Sequence, residues 1–177
     1  IDIFGETVKQ TIASTGPCRI VIPTVAGVAA IVRQKTAQWD NVLVLEGDVE
    51  KYDAFAAADA ALAASGTVSL ELAMAGVPSL IAYRLSPLTG FIARQLIRVK
   101  YASIINLILD KPAVPEFLQE NCTVARLTPA LIALLQSDTE RKRQSGDIAT
   151  ALAALRAGGD APSMAAARLV MQIAQRS

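Results

Sequence analysis

The stretch Ala61-Leu-Ala-Ala-Ser65-Gly66-Thr67-Val-Ser-Leu-Glu71 joins a short aliphatic run to a glycine-centred turn flanked by two hydroxyls, with an acid one helical turn further on. A glycine turn at a helix N-terminus exposes backbone amides at the positive end of the helix dipole. Together with the Ser65 and Thr67 hydroxyls, those amides can hold a phosphate or diphosphate. In open parallel sheets ligands bind beyond the carboxyl ends of strands, which is where this turn stands. The alternative is that Ser65 or Thr67 only caps the helix. Glu71 is not explained by capping, because the reciprocal position of a capping box is Leu70 for a Thr67 cap and Val68 for a Ser65 cap. A carboxylate one turn into the helix can accept hydrogen bonds from two vicinal sugar hydroxyls, as acidic residues do on ribose in dinucleotide folds. A solvated surface glutamate is the other reading.

Further polar residues stand out against apolar neighbours. Arg84 follows the aliphatic run Ser79 to Tyr83, where a guanidinium can grip phosphate bidentately or make a surface salt bridge. Asn106 and Gln119 can each bind sugar hydroxyls or satisfy local backbone groups. Glu46, Asp48 and Glu50 alternate on a loop after a strand; such acids are usually solvated, and with no Asp-x-Asp pair neither a metal nor any other cofactor is expected. The 177 residues include no histidine, and Cys18 and Cys122 lie far apart, which excludes zinc sites, serine triads and cysteine-histidine pairs. Two such cysteines fit reduced thiols in a cytosol rather than a disulfide framework.

The elements that must position these residues fit one domain. A chain of 177 residues that is 53% hydrophobic can bury a single core, and its 19% charged content excludes a disordered protein. Seventeen basic against sixteen acidic side chains leave a net charge of +1, without the basic excess of a nucleic-acid binder. The uncharged runs Ile20 to Val32 and Leu72 to Tyr83 contain proline and are shorter than the roughly 18 apolar residues of a spanning helix. The start Ile-Asp-Ile-Phe has neither an initiator methionine nor a signal-peptide pattern, and reads as a fragment.

Phe4, Val8 and Ile12 recur at helical spacing over Asp2 to Ser14, and Thr15-Gly16-Pro17 ends that helix. Strand Arg19 to Ile22, helix Val25 to Lys35 and strand Asn41 to Leu45 follow. The alternation continues through helix Tyr52 to Ala58, strand Ala60 to Ala64, helix Val68 to Ala75, strand Ser79 to Tyr83, helix Leu88 to Val99 and strand Ser103 to Leu109. After Asp110 only helices are expected, over Pro129 to Leu135 with Thr128 as cap, near Glu140 to Leu155, and over Ala161 to Ala174. Strands aliphatic throughout imply burial on both faces. The pattern predicts an α/β fold, a Rossmann-like doubly wound parallel sheet spanning 1–177 as one domain, with a helical C-terminal tail from about 128. Because the chain starts on a helix, the first strand and its loop are expected upstream of Ile1.

No acid occurs from Leu72 to Leu109, while Arg84, Arg94, Arg98 and Lys100 gather beside Phe91, Ile92, Leu96, Ile97 and Tyr101. The apolar stripe packs on the sheet by default; the functional alternative is contact with anionic lipid or an acylated substrate at a membrane surface.

The run Ala64-Ser-Gly-Thr-Val-Ser-Leu-Glu71, with Ala75-Gly-Val-Pro78 and Ala82-Tyr-Arg-Leu-Ser-Pro87, resembles the lipid-A-disaccharide synthase family. Tyr101-Ala-Ser-Ile-Ile-Asn106-Leu, Val114-Pro-Glu-Phe-Leu-Gln119-Glu and Ile20-Val-Ile-Pro-Thr24 are also similar to stretches of that family, so the resemblance covers nearly the whole chain. It implies the donor-binding half of a GT-B type inverting glycosyltransferase, with an acceptor domain N-terminal to it. The implied reaction joins UDP-2,3-diacylglucosamine to 2,3-diacylglucosamine 1-phosphate, releasing UDP and lipid A disaccharide phosphate.

Carried over by position, Ser65, Gly66 and Thr67 meet the diphosphate and Glu71 the uridine ribose, while the loop Glu46, Gly47, Asp48 and Val49 offers backbone groups to uracil. Arg84, Asn106 and Gln119 complete the expected substrate-binding set. No catalytic residue is expected within this chain, so alone it transfers no sugar. The family implies no divalent ion, and a cytoplasmic enzyme peripheral on the inner face of the inner membrane of a Gram-negative bacterium. A nucleotide-sugar epimerase of similar fold and a non-catalytic membrane-docking module are the competing readings.

Overall fold

The computed structural model describes residues 1–64, 66–84, 100–156 and 162–174. In chain order the elements are α1 (Asp2–Thr15), β1 (Ile20–Thr24), α2 (Ala26–Thr36), β2 (Val42–Glu46), α3 (Asp48–Ala56), β3 (Ala61–Ala63), α4 (Thr67–Met74) and β4 (Ser79–Tyr83). Then come α5 (Ile104–Leu109), β5 (Glu116–Leu118), a single 3-10 turn (Gln119–Asn121), α6 (Val124–Gln136), α7 (Asp138–Arg156) and α8 (Pro162–Ala174). The helix expected over Leu88 to Val99 lies outside the described residues, and with it most of the basic, apolar stretch.

All strand pairing is parallel, as the helix-strand alternation requires. It falls into two ladders among the described residues, β1 with β2 and β3-β4-β5 in that order. Ile20 pairs with Val42 and Thr24 with Glu46, so β1 and β2 end level at their carboxyl ends. Helix α3 packs on both of these strands, and its Phe55 joins the core around Ala63 of β3.

Burial follows position in the ladders. Strand β4 has a partner on each edge and its first four residues are buried, with Ile81, which pairs on both sides, fully inaccessible. By contrast β1 and β2 are largely half-buried, and Val21 and Leu43 are each 37% exposed. The expectation that every aliphatic strand is covered on both faces therefore fails for the first ladder. The main core joins Phe55, Ala63, Leu72, Val77, Ile81, Ile105 and Ile148, between the second ladder and α4, α5 and α7.

The expected strand Ser103 to Leu109 is helix α5. An aliphatic run of this length fits either state, and here Ile105 and Asn106 face inward while Ile104 and Leu107 are exposed, a helical rather than alternating burial pattern. Asp110 ends the helix in a left-handed conformation (φ 47°). Nor do strands stop at Asp110, because the three residues of β5 pair with β4. Helix α6 starts at Val124 after Thr123, not at Pro129 after Thr128. Pro129 lies inside it on the exposed side, while Leu127, Thr128, Leu131 and Leu134 form the buried stripe. The missing N–H costs less there, since the carbonyl it would have met can be solvated.

Helix α1 lies against α6. Its apolar stripe Phe4, Val8 and Ile12 is only half-buried, while Thr7 and Thr11 on a neighbouring line are buried. Both hydroxyls donate back to carbonyls four residues earlier, at 2.8 Å, which removes the cost of burying them. Gly5 lets the Trp39 ring close on the helix, where an added Cβ would stand 2.5 Å from Cζ2.

Candidate functional site

At the carboxyl ends of β1 and β2 the backbone opens into a cleft of ≈ 470 Å³, formed by residues 23–26, Glu46, Gly47, Asp48 and Lys51. Gly47, with φ 121°, turns the chain out of β2 into α3; a side chain there would be strained and would collide with the Glu50 carboxylate. The turn is tight enough that Asp48 and Val49 belong to the first turn of α3 and not to a loop, a correction of the expected Glu46–Val49 loop and of a helix starting at Tyr52. Glu46 ends β2 and pairs with Arg33 of α2, whereas Asp48 pairs with Lys51 at 3.3 Å. The two acids thus meet different cations.

The second corner is the N-terminus of α4. Gly66 caps it with φ 137° and ψ −160°, a conformation that disfavours any side chain, and among the described residues an added Cβ would meet nothing within 4 Å. Gly66 and Thr67, at the start of the helix, are both exposed. Ser69 holds the turn, its hydroxyl donating to the Gly66 carbonyl at 2.7 Å. Ser65 lies outside the described residues.

Glu71, half-buried on α4, makes the link between the corners. Its Oε2 lies 3.2 Å from Lys51 Nζ, and Lys51 also lines the cleft. The ammonium stands 4.7 Å from the centroid of the Tyr52 ring. Pairing with Glu71, and secondarily with Asp48, holds the Lys51 ammonium above the ordinary lysine value of 10.5, so it stays protonated through neutral pH. Sequence reasoning passed over Lys51, whose only signal was a basic residue among the acids that follow β2.

The remaining expected residues lie elsewhere. Arg84 is exposed just beyond β4. Its charge reaches the Cys122 thiol, which burial nonetheless pushes above its ordinary value. Both Cys18 and Cys122 are free. Gln119 opens the 3-10 turn in a left-handed conformation (φ 53°), and its carbonyl accepts the Cys122 amide at 3.1 Å.

Asn106 is wholly buried. Its Nδ2 donates to the Val114 carbonyl and to Glu116 Oε1, both at 2.7 Å, and its Oδ1 accepts the Val114 amide at 2.8 Å. Both amide hydrogens are used, so the side chain has no donor left for a sugar hydroxyl. Glu116, absent from the expected set, completes this knot by accepting the Ala102 and Ser103 amides at 2.8 Å each. Lys100, from the basic stretch, pairs with Asp110 at 2.8 Å.

An all-parallel α/β fold with a cleft and a glycine-capped helix at its strand carboxyl ends has the layout of the ligand-binding α/β proteins. The family model for lipid-A-disaccharide synthetase matches residues 3–168. Lipid-A-disaccharide synthases of Rhodospirillum centenum (43% identical, covering 96% of this chain), Paramagnetospirillum magneticum (40%, covering 95%) and Bradyrhizobium diazoefficiens (38%, covering 97%) are similar throughout. The chain belongs to the lipid-A-disaccharide synthetase family. It spans 43–44% of the length of those three relatives.

Proposed function

We propose that this chain is the donor-binding part of a GT-B type, inverting lipid-A-disaccharide synthase, which joins UDP-2,3-diacylglucosamine to 2,3-diacylglucosamine 1-phosphate in lipid A biosynthesis. The observation that carries this reading is the pairing of an open, glycine-capped α4 N-terminus with Glu71, which reaches the β1–β2 cleft through Lys51. The helix end suits a diphosphate. Glu71 suits the ribose hydroxyls, and the Glu46–Gly47–Asp48–Val49 turn suits the base. Arg84 and Gln119, toward the carboxyl ends of β4 and β5, are left for the sugar-phosphate side, whereas Asn106 is better explained by the knot it ties.

Calorimetry of UDP binding to the intact protein tests this reading. Glu71→Ala should weaken binding by about 1 to 3 kcal/mol, the range for a hydrogen bond to a charged group. Unchanged affinity would remove Glu71 from the site and the reading with it.

The same reading puts further polypeptide around this chain. The two ladders do not pair with each other among the described residues, and α1, whose Ile3 and Phe4 join the cluster that includes Leu62 of β3, leaves its apolar stripe half-buried. A strand between β1 and β3 would give the doubly wound order in which the first strand is central. It would also bring its own loop to the cleft. An N-terminal acceptor domain would supply the catalytic base, so this chain by itself would transfer no sugar.

The acylated substrates require work at an anionic membrane surface, on the cytoplasmic face of the inner membrane. No helix among the described residues is long and apolar enough to cross a membrane, which is compatible with peripheral attachment.

A further inference from the structure

Lys51 belongs to both halves of the site, since it lines the cleft at the ends of β1 and β2 and also reaches Glu71 on α4. It comes from α3, one turn after the Gly47 cap, where its backbone N–H donates to the Gly47 carbonyl at 3.2 Å. The tight turn at Gly47 is therefore what aims the lysine across the cleft. The ammonium touches Glu71 Oε2 at 3.2 Å and Asp48 Oδ1 at 3.3 Å beside the Tyr52 ring, with the side chain 23% exposed. As a contribution to folding such a pair is small, because exposed ion pairs are screened and must order two long side chains. Its consequence for binding is larger. An unrestrained glutamate gives up rotamer freedom when it fixes on a ligand, and a lysine that already holds one oxygen has met that cost beforehand.

We propose that Lys51 is a positioning residue for Glu71: its ammonium holds one carboxylate oxygen so that the other takes the vicinal hydroxyls of a uridine nucleotide. This rests on the donor-site reading above and adds to it the residue that makes the ribose contact specific. Lys51 acts through Glu71 and not on the phosphates. Its second partner, Asp48, ties the same ammonium to the turn beside the base, so base and ribose contacts are set by one side chain.

The test compares Lys51→Met, Lys51→Arg, Glu71→Gln and the Lys51→Met/Glu71→Gln double variant in the intact protein. UDP affinity is read by calorimetry and uridine affinity by competition against UDP. Uridine carries no phosphate, so it isolates the ribose and base contacts.

Lys51→Met should weaken uridine about tenfold, Lys51→Arg should recover most of the loss, and Lys51→Met should add little once Glu71 is Gln. A structural role alone would be neither rescued by arginine nor cancelled by the Glu71 change. Full uridine affinity in Lys51→Met overturns the proposal, as does a loss confined to UDP, which would assign Lys51 to the phosphates. So does a loss of the same size in the Glu71→Gln background. If Glu71→Gln itself leaves both ligands unaffected, the donor-site reading falls too; if Glu71→Gln weakens both and Lys51→Met weakens neither, only the positioning role falls.

Discussion

The two ladders of this fold are built from equally apolar strands and differ in how far they are covered. Ile20-Val-Ile-Pro-Thr24 of β1 and Ser79-Leu-Ile-Ala-Tyr83 of β4 read alike, yet Ile81 is 0% exposed and Val21 37%. What separates them is the number of partners. Strand β4 has a strand neighbour on each edge, whereas among the described residues β1 pairs with β2 alone, although helices pack on both strands. Strand composition therefore marks what a sheet would bury once complete, and burial marks how complete it is.

The sharpest way to break this comparison is a matched pair of truncations. Ile81→Ala should lower stability by about 2 to 5 kcal/mol, the range for emptying a closed core site. Val21→Ala should cost less than about 1 kcal/mol, because much of its side chain is already in water. Denaturant midpoints at unchanged slope measure both. Equal losses would mean that β1 is as well covered as β4 in the intact protein, and would break the comparison.

A second, smaller effect concerns buried amides. Asn106 saturates the N–H and C=O of Val114, and Gln144 of α7 does the same for Ser79, accepting its amide at 2.5 Å and donating to its carbonyl at 3.1 Å. Each acts as a one-residue substitute for a neighbouring strand. Asn106→Ala leaves the Val114 groups and part of the Glu116 carboxylate unpaired, and should cost about 1 to 3 kcal/mol of stability. UDP affinity should stay unchanged, as calorimetry on the same variant can check. Loss of UDP binding without loss of stability would restore Asn106 to the ligand site.

Much of this was legible in the sequence, and the gaps have physical causes. The parallel α/β class, the bounds of β4 and the turn at Gly66 follow from aliphatic periodicity and glycine chemistry, which act locally. Helix α5 was misread because Ile104 to Leu109 is too short and too uniformly apolar for period to separate strand from helix. Strand β5 was missed because three residues beginning with Glu116 carry no strand pattern; that acid is there to tie down the 102–106 turn, a contact no local signal announces. Asn106 showed itself as a lone polar residue among aliphatics, whereas Gln144, within Arg-Lys-Arg-Gln-Ser, looked like ordinary surface. Lys51 was invisible for the same reason, since its partner Glu71 lies twenty residues away and only the fold brings them together.

The smallest effect sharpens the contrast between covered and open positions within a single helix. One turn before Gln144, Glu140 of α7 takes a two-point contact from Arg143, at 2.5 Å from Nη2 and 3.0 Å from Nε, and Arg143 also reaches Asp147 at 2.9 Å. The arginine holds Glu140 below its ordinary value of 4.5. A carboxyl lowered in the folded state favours folding while it is ionised. The contribution is therefore whole above the unfolded-state value and is lost as pH falls through the folded-state one. About a third of the glutamate side chain is exposed, at 33%, so water and salt screen the pair. Glu140→Gln should therefore cost less than about 0.5 kcal/mol at pH 7. The difference from the parent protein should begin to shrink as pH falls below 4.5 and should vanish once pH has passed the lower folded-state value, where the parent's own carboxyl protonates. Paired denaturation curves at neutral and acid pH measure it. A difference that persists undiminished in acid would mean that packing of the Glu140 side chain, rather than its charge, is what α7 uses at that position.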